Sequence, residues 1–385
     1  MSDPINYGKQ KIDDNDISAV IDVLKSSHLT QGPLVPLLEK KIATYVGSKY
    51  AVACSNGTAA LHLACLALGV KQGDTVWTSA ISFVASANCA LYCGASIKFL
   101  DVDVTTGNIS VEKLTDKIEQ AKIDGKLPKV IILVHLAGNS CDMRSIHALC
   151  APLGIRIIED ACHALGGAYE NKKIGNCQYS DCCVFSFHPV KSITSGEGGA
   201  ITTNANNIAE RLKILSSHGI TKHRDSMSLK TQPTWYYEQQ LLGFNYRLSE
   251  IHAALGISQL TKIDTFINKR KAIFKRYLSA FKSTQVKLLQ QTPNSESAHH
   301  LTVALIPGRQ RDRVFEELKH LNIYCQLHYM PIYRQPYHDI GQQNWKLFEG
   351  SEKYFTSALS LPIYPDLSPA EQKKVIEAIK GVLYE

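Results

Sequence analysis

The sequence predicts a three-layer α/β protein, a mostly parallel sheet sandwiched by helices, followed by a smaller C-terminal α+β unit. Three observations carry that prediction. Short β-rich segments alternate with helical patterns as far as Arg247. Several of those segments are apolar throughout, Val130–Val134 being among the most apolar, as strands covered on both faces must be. Beyond Arg247 the alternation stops and a long helical stretch leads into mixed elements. The expected division is a large domain with its N-terminal segment over residues 1–247, and a linking helix with the small domain over 248–385.

The elements follow from spacing. Ile17, Val20, Ile21 and Leu24 recur at i, i+3, i+4 and i+7, which predicts an amphipathic helix with those four on one face. Leu61, Ala64, Cys65 and Leu68 predict a second helix, stopped by Gly69 at its C′ position. Strands are expected at 51–55, 75–78, 97–102, 130–136, 155–160, 182–187 and 200–203. Residues 248–281 read as one nearly uninterrupted helical region, and 292–297 as a polar loop. A strand at 301–306, a helix at 312–321 and a strand at 323–327 come next. The last helix begins at Ser368, with Pro369 at N1 and Glu371 at N3 as a capping signal; Val375, Ile379, Val382 and Leu383 would pack it down.

Composition narrows the class. The 385 residues are 44% hydrophobic and 20% charged, values that exclude collagen-like and largely disordered chains. Lys plus Arg exceed Asp plus Glu by 42 − 35 = 7, without a basic run dense enough for a nucleic-acid surface. Asp3, Lys9, Lys11, Asp13, Asp14, Asp16 and Asp22 leave no room for an apolar signal segment, and no apolar stretch is long enough to span a bilayer. A cytoplasmic enzyme is expected, with no membrane and no nucleic-acid partner. Its eleven cysteines read as reduced core thiols, and without a C-x-x-C pair no metal site is expected.

Ligands of parallel sheets bind beyond the carboxyl ends of the strands, and three such ends carry unusual residues. Ser55-Asn56-Gly57-Thr58 joins a strand to a helix, a geometry suited to phosphate, although a plain capped turn has the same signature. Glu159-Asp160 ends an apolar strand, with His163 three residues on; a desolvated carboxylate there needs a partner, whereas a solvated acidic loop does not. Residues 185–199 place Lys191 before a Gly-rich turn, either as a buried amine of depressed pKa or as a surface lysine. Taken together, a phosphate cradle, an acid and a lysine are what pyridoxal phosphate requires.

The chain resembles the DegT-type sugar-nucleotide aminotransferases in Leu29-Thr30-Gln31-Gly32, Ser55-Asn56-Gly57-Thr58-Ala59-Ala60-Leu61, Phe83-Val84-Ala85-Ser86-Ala87-Asn88, Glu159-Asp160-Ala161-Cys162-His163-Ala164-Leu165-Gly166, residues 185–199 and Gly243-Phe244-Asn245-Tyr246-Arg247-Leu248. The resemblance implies the fold type I architecture of pyridoxal-phosphate (PLP) transferases. Within that family Ser186-Phe187-His188-Pro189-Val190-Lys191 and Gln326-Leu327-His328-Tyr329-Met330-Pro331-Ile332-Tyr333 are most similar to the UDP-4-amino-4,6-dideoxy-N-acetyl-β-L-altrosamine transaminases of pseudaminic acid synthesis. It further implies Lys191 as Schiff-base lysine and proton shuttle, and Asp160 against the pyridinium nitrogen. His163 would sit beside the phenolic oxygen, Gly57, Thr58 and Ser186 would hold the phosphate, and Phe83 would stack on the ring. Asn245 would reach the phosphate of a neighbouring subunit, making a homodimer part of the site. Tyr7, Ser27, His28, Leu29, Thr30, Gln326, Leu327, His328 and Tyr329 match substrate-contacting stretches. The implied reaction moves the amino group of glutamate to C4 of a UDP-linked 4-keto-6-deoxy sugar. A dTDP- or GDP-linked ketosugar, or a regulatory protein that kept the fold and lost the chemistry, are the alternatives.

Overall fold

A seven-stranded sheet organises the N-terminal part of the computed structural model, which describes residues 4–229 and 231–384. Its strands are β1 (Tyr50–Cys54), β2 (Thr75–Ser79), β3 (Ser96–Leu100), β4 (Val130–Val134), β5 (Arg156–Asp160), β6 (Cys182–Ser186) and β7 (Gly199–Thr203), in the spatial order β1-β7-β6-β5-β4-β2-β3. β7 runs antiparallel to both of its neighbours and the remaining pairs are parallel. All seven expected segments are therefore strands of one sheet.

Both faces of that sheet are covered. Val130 and Ile132 pack with α3 (Gly57–Ala67), α4 (Ala85–Tyr92) and α7 (Asn206–Ser216), while Ile131 and Leu133 face α5 (Val111–Ile123) and α6 (Met143–Cys150). The two-residue side-chain period of a strand sends alternate apolar residues into different cores, and that is why β4 contains no polar residue. Burying each such side chain is worth roughly 1.5–3 kcal/mol. Near β1 and β6 the second face is closed by α2 (Leu34–Val46) and α8 (Glu250–Leu260).

An apolar stripe is turned outward on a helix that forms as read, and two expectations change. The first helix forms as α1 (Asp14–Leu24), but Ile17, Ile21 and Leu24 are 50%, 40% and 57% exposed, and its buried residues are Asp16 and Val23. Polar bonds turn the helix over: Ser258, Gln259 and Lys262 bind the Asp16 carboxylate at 2.6–2.7 Å. The long helical region is broken between α8 and α9 (Ile263–Phe281), where Thr261 Oγ1 donates to Ser258 O and no Gly or Pro marks the interruption. Residues 323–327 make only isolated bridges, Ile323 to Ile5 and Gln326 to Ser360.

The small sheet is antiparallel and is built from Lys287–Leu288, Thr302–Leu305 and Ala358–Leu361. It packs on α9, α10 (Arg311–His320) and α12 (Pro369–Tyr384), and α11 (Glu349–Ser357) leads into its last strand. The cap of α12 forms as read: Ser368 N–H donates to Glu371 Oε2 at 2.8 Å and Glu371 N–H to Ser368 Oγ at 3.1 Å. Val375 and Ile379 are fully buried.

Candidate active site

The carboxyl ends of β1, β5 and β6 open into one cavity of about 660 Å³. At the end of β1, Asn56 caps α3 by accepting the Ala59 N–H at 2.8 Å. The first helical residues, Gly57 and Thr58, line the cavity, so the positive end of the helix dipole faces it. A Cβ on Gly57 would lie 2.9 Å from Ser186 Cβ and 3.3 Å from Cys162 Sγ. Glycine is what lets the β6 end approach the α3 backbone this closely.

At the end of β5, Asp160 is 6% exposed. Its Oδ2 accepts from Ser86 Oγ at 2.6 Å and its Oδ1 from the Cys162 N–H at 3.2 Å. Ser86 Oγ also lies 2.7 Å from Ser82 Oγ, so a serine pair orients the carboxylate. Lys191 follows β6 and lines the same cavity. Burial holds its amine below the usual 10.5, opposed by attraction to Cys162 and Asp160.

His163 is buried in the wall, its Nε2 3.1 Å from the Tyr329 hydroxyl and its ring 4.5 Å from that of His300. Burial, with Lys191 and His328 nearby, pulls it well below 6.5, so the ring is neutral at pH 7. Its Nδ1 is buried without a partner. Tyr7 packs 5.2 Å from His328, whose Nδ1 meets Ser360 Oγ at 2.9 Å. Phe83 stands at the rim, 56% exposed and 6.2 Å from the Tyr329 ring.

Gly57, Thr58, Phe83, Asp160, His163, Ser186, Lys191, Tyr7, His328 and Tyr329 are thus brought together. Ser27, His28, Leu29, Thr30, Asn245, Gln326 and Leu327 are not. Gln326 is exposed beside Ser360, and Leu327 packs among Ile81, Leu136 and Tyr354. The other five are exposed: Thr30 bridges to Ser249, Glu250 N–H donates to Leu29 O at 3.0 Å, and Asn245 bridges to Ser217. His188, Glu197, Cys162 and His300 line the cavity as well. The first three lie inside quoted motifs, whereas His300, at the start of a strand in the small unit, gave no signal.

The description of one family matches residues 10–380, nearly the whole chain. The chain belongs to the DegT/DnrJ/EryC1/StrS aminotransferase family. Among its relatives in the DegT/DnrJ/EryC1/StrS family is the UDP-4-amino-4,6-dideoxy-N-acetyl-β-L-altrosamine transaminase of Campylobacter jejuni. It is 35% identical over 383 residues, covering 98% of this chain and 97% of the relative. PseC of Helicobacter pylori, an aminotransferase involved in pseudaminic acid biosynthesis, superposes with a TM-score of 0.88 at 30% identity, over 98% of this chain and 99% of that one. Spr1654 of Streptococcus pneumoniae in its PLP form gives 0.88 at 27% identity over 98% of each chain. The protein is a PLP-dependent sugar aminotransferase. Its residues fit that cofactor: a cradle that a Cβ on Gly57 would fill, a buried carboxylate with its donors in place, and an amine lowered by burial.

Proposed function

We propose that this aminotransferase carries the amino group of glutamate to C4 of a UDP-linked 4-keto-6-deoxy-N-acetylhexosamine, in the cytoplasm and on the way to pseudaminic acid. The observation that carries the reading is the single cavity onto which the Lys191 amine, the Asp160 carboxylate and the first turn of α3 all open. The choice of sugar is supported by the Campylobacter relative and the Helicobacter structure. Gly57, Thr58 and Ser186 would hold the cofactor phosphate, Asp160 would pair with the ring nitrogen, His163 would sit beside the phenolic oxygen, and Phe83 would stack on the ring; all six line the cavity.

The bound cofactor supplies a sink for the electron pair left when a C–H bond of the donor breaks. Lys191 takes the proton released there and later returns one to the sugar carbon. An amine suits both directions when burial brings its pKa down towards the working pH. Neutral His163 can hydrogen-bond without placing a second cation beside Lys191. Tyr7, His328 and Tyr329 form the substrate wall.

The protein works as a homodimer. Ser27–Thr30 and Asn245 are exposed, as is the apolar stripe of Ile17, Ile21 and Leu24 on α1; these residues would approach the cavity of a second copy, where Gln326 and Leu327 would flank the sugar. The test incubates the enzyme with glutamate and a panel of UDP-, dTDP- and GDP-linked ketosugars and identifies products by NMR. A C4-aminated UDP sugar is expected. Amination of only a dTDP- or GDP-linked sugar overturns the substrate and leaves the aminotransferase.

A further inference from the structure

The cavity walls have two origins. One side comes from the ends of β1, β5 and β6, whereas Tyr7, His300 and His328 come from the N-terminal segment and the small unit. The main chains behind these three residues converge on α9. Arg270 of that helix is 1% exposed, and its Nη1 donates to His300 O at 3.1 Å and to Ile363 O at 3.0 Å. Ile363 N–H donates in turn to Tyr7 O at 2.9 Å. Two turns further along α9, the buried Tyr277 hydroxyl donates to Pro362 O at 3.0 Å. Pro362 and Ile363 directly follow the strand Ala358–Leu361, whose Ser360 Oγ lies 2.9 Å from His328 Nδ1.

Packing alone does not call for an arginine here. Burial brings Arg270 down to about 10, so it is still a cation at neutral pH. Both of its bonds go to main-chain carbonyls rather than to a carboxylate. A cation taken out of water on those terms costs more than an apolar side chain filling the same space. What the guanidinium adds is a set of N–H donors held in one plane and in fixed directions. Nη1 has two of them, one for each carbonyl, so a single atom sets the distance between the His300 and Ile363 segments.

We propose that Arg270 is a positioning residue for the substrate wall. By fixing the main chain at His300 and Ile363, it sets where the His300 ring and the Tyr7 side chain stand in the cavity. This rests on the reading above, in which Tyr7 and His328 face the substrate. The cofactor side is held by other bonds, from Ser86 to Asp160 and from Ala59 to Asn56. Loss of the guanidinium should therefore weaken the hold on substrate and spare the hold on PLP.

The test uses the PLP-loaded full-length protein with Arg270→Met and Arg270→Lys. Mixing with glutamate and following the visible absorbance of the lysine-linked cofactor gives a half-saturating concentration and a limiting rate. In Arg270→Met the half-saturating concentration is expected to rise about tenfold, with limiting rate and PLP dissociation constant little changed. Arg270→Lys keeps donors but not their fixed directions, and is expected to fall between. An unchanged half-saturation in Arg270→Met overturns the proposal. So does a PLP affinity that falls as far as that for glutamate, since it marks a general loss of structure. Hydrogen exchange supplies a check that needs neither the amino donor nor a folded Arg270→Met. The Ile363 amide is expected to exchange as slowly as those of β4 in the unsubstituted protein, and faster in Arg270→Lys while β4 stays unchanged. An unprotected Ile363, or one that the lysine leaves as it was, overturns the proposal. If glutamate does not alter the absorbance of the unsubstituted protein, the amino-donor reading fails and exchange alone decides.

Discussion

Ser86 Oγ donates a 2.6 Å hydrogen bond to Asp160 Oδ2, joining the first turn of α4 to the end of β5. Both residues are buried, and Ser82 backs the serine. The carboxylate is thus aimed by a helix seventy-four residues away in sequence. Hydrogen bonds to charged groups contribute roughly 1.5–3 kcal/mol. Ser86→Ala is expected to weaken PLP binding by about tenfold or more, read by fluorescence titration. An unchanged dissociation constant would show that Asp160 needs no such support.

Lys191→Ala is expected to bind PLP without the visible absorbance of the lysine-linked cofactor and to lose all amino transfer. Absorbance of the purified variant and the NMR product assay read the two effects. Residual turnover in this variant would end the assignment of Lys191 as proton carrier.

Acid should destabilise the fold through its buried histidines. Burial holds His328 at about 3, His299 at about 4, and His163 and His300 well below 6.5. Each is neutral when folded but protonated in the unfolded chain below 6.5, so the unfolded state binds more protons and stability falls as pH drops from 6.5. Each contributes up to about 1.4 kcal/mol per pH unit. His135, lowered by burial but raised overall to about 10 with the Glu159 carboxylate 2.7 Å from its Nε2, works in another window: its contribution is complete below 6.5 and is lost as pH rises through about 10. Melting temperature is expected to decline steadily from pH 6.5 to 4.5, less steeply in His328→Gln. A flat profile would contradict these assignments.

The exposed stripe on α1 gives a prediction about assembly. Ile21→Lys with Leu24→Lys should shift the protein from dimer to monomer in light scattering, with little change in circular dichroism because neither side chain belongs to the core. A dimer that survives both charges would move the interface elsewhere.

Much of this was legible in the chain. β4 reads as a buried strand because all five of its residues are apolar, and the Ser368–Glu371 cap is written in adjacent residues. The motif residues Gly57, Asp160, Ser186 and Lys191 each follow or end a strand, which sends them to the same edge of the sheet. The helix α1 was legible, but which way its apolar face points was not. Its apolar spacing announces a helix with a stripe but does not say what covers it, and the polar bonds of Asp16 to α8 and to Lys262 turn the stripe outward.

By itself, the order of residues determined the seven strands of the main sheet, most of the helices and the chemical types gathered at the strand ends, since these depend on local periodicity and on neighbours a few positions apart. Only the tertiary structure decided that Ser86 would orient Asp160, that His300 would lie against His163, and that Asn245 and Ser27–Thr30 would stand outside their own cavity. Those relationships join distant segments or different helices, and their hydrogen bonds and ring contacts depend on directions fixed only when the helices pack on the sheet.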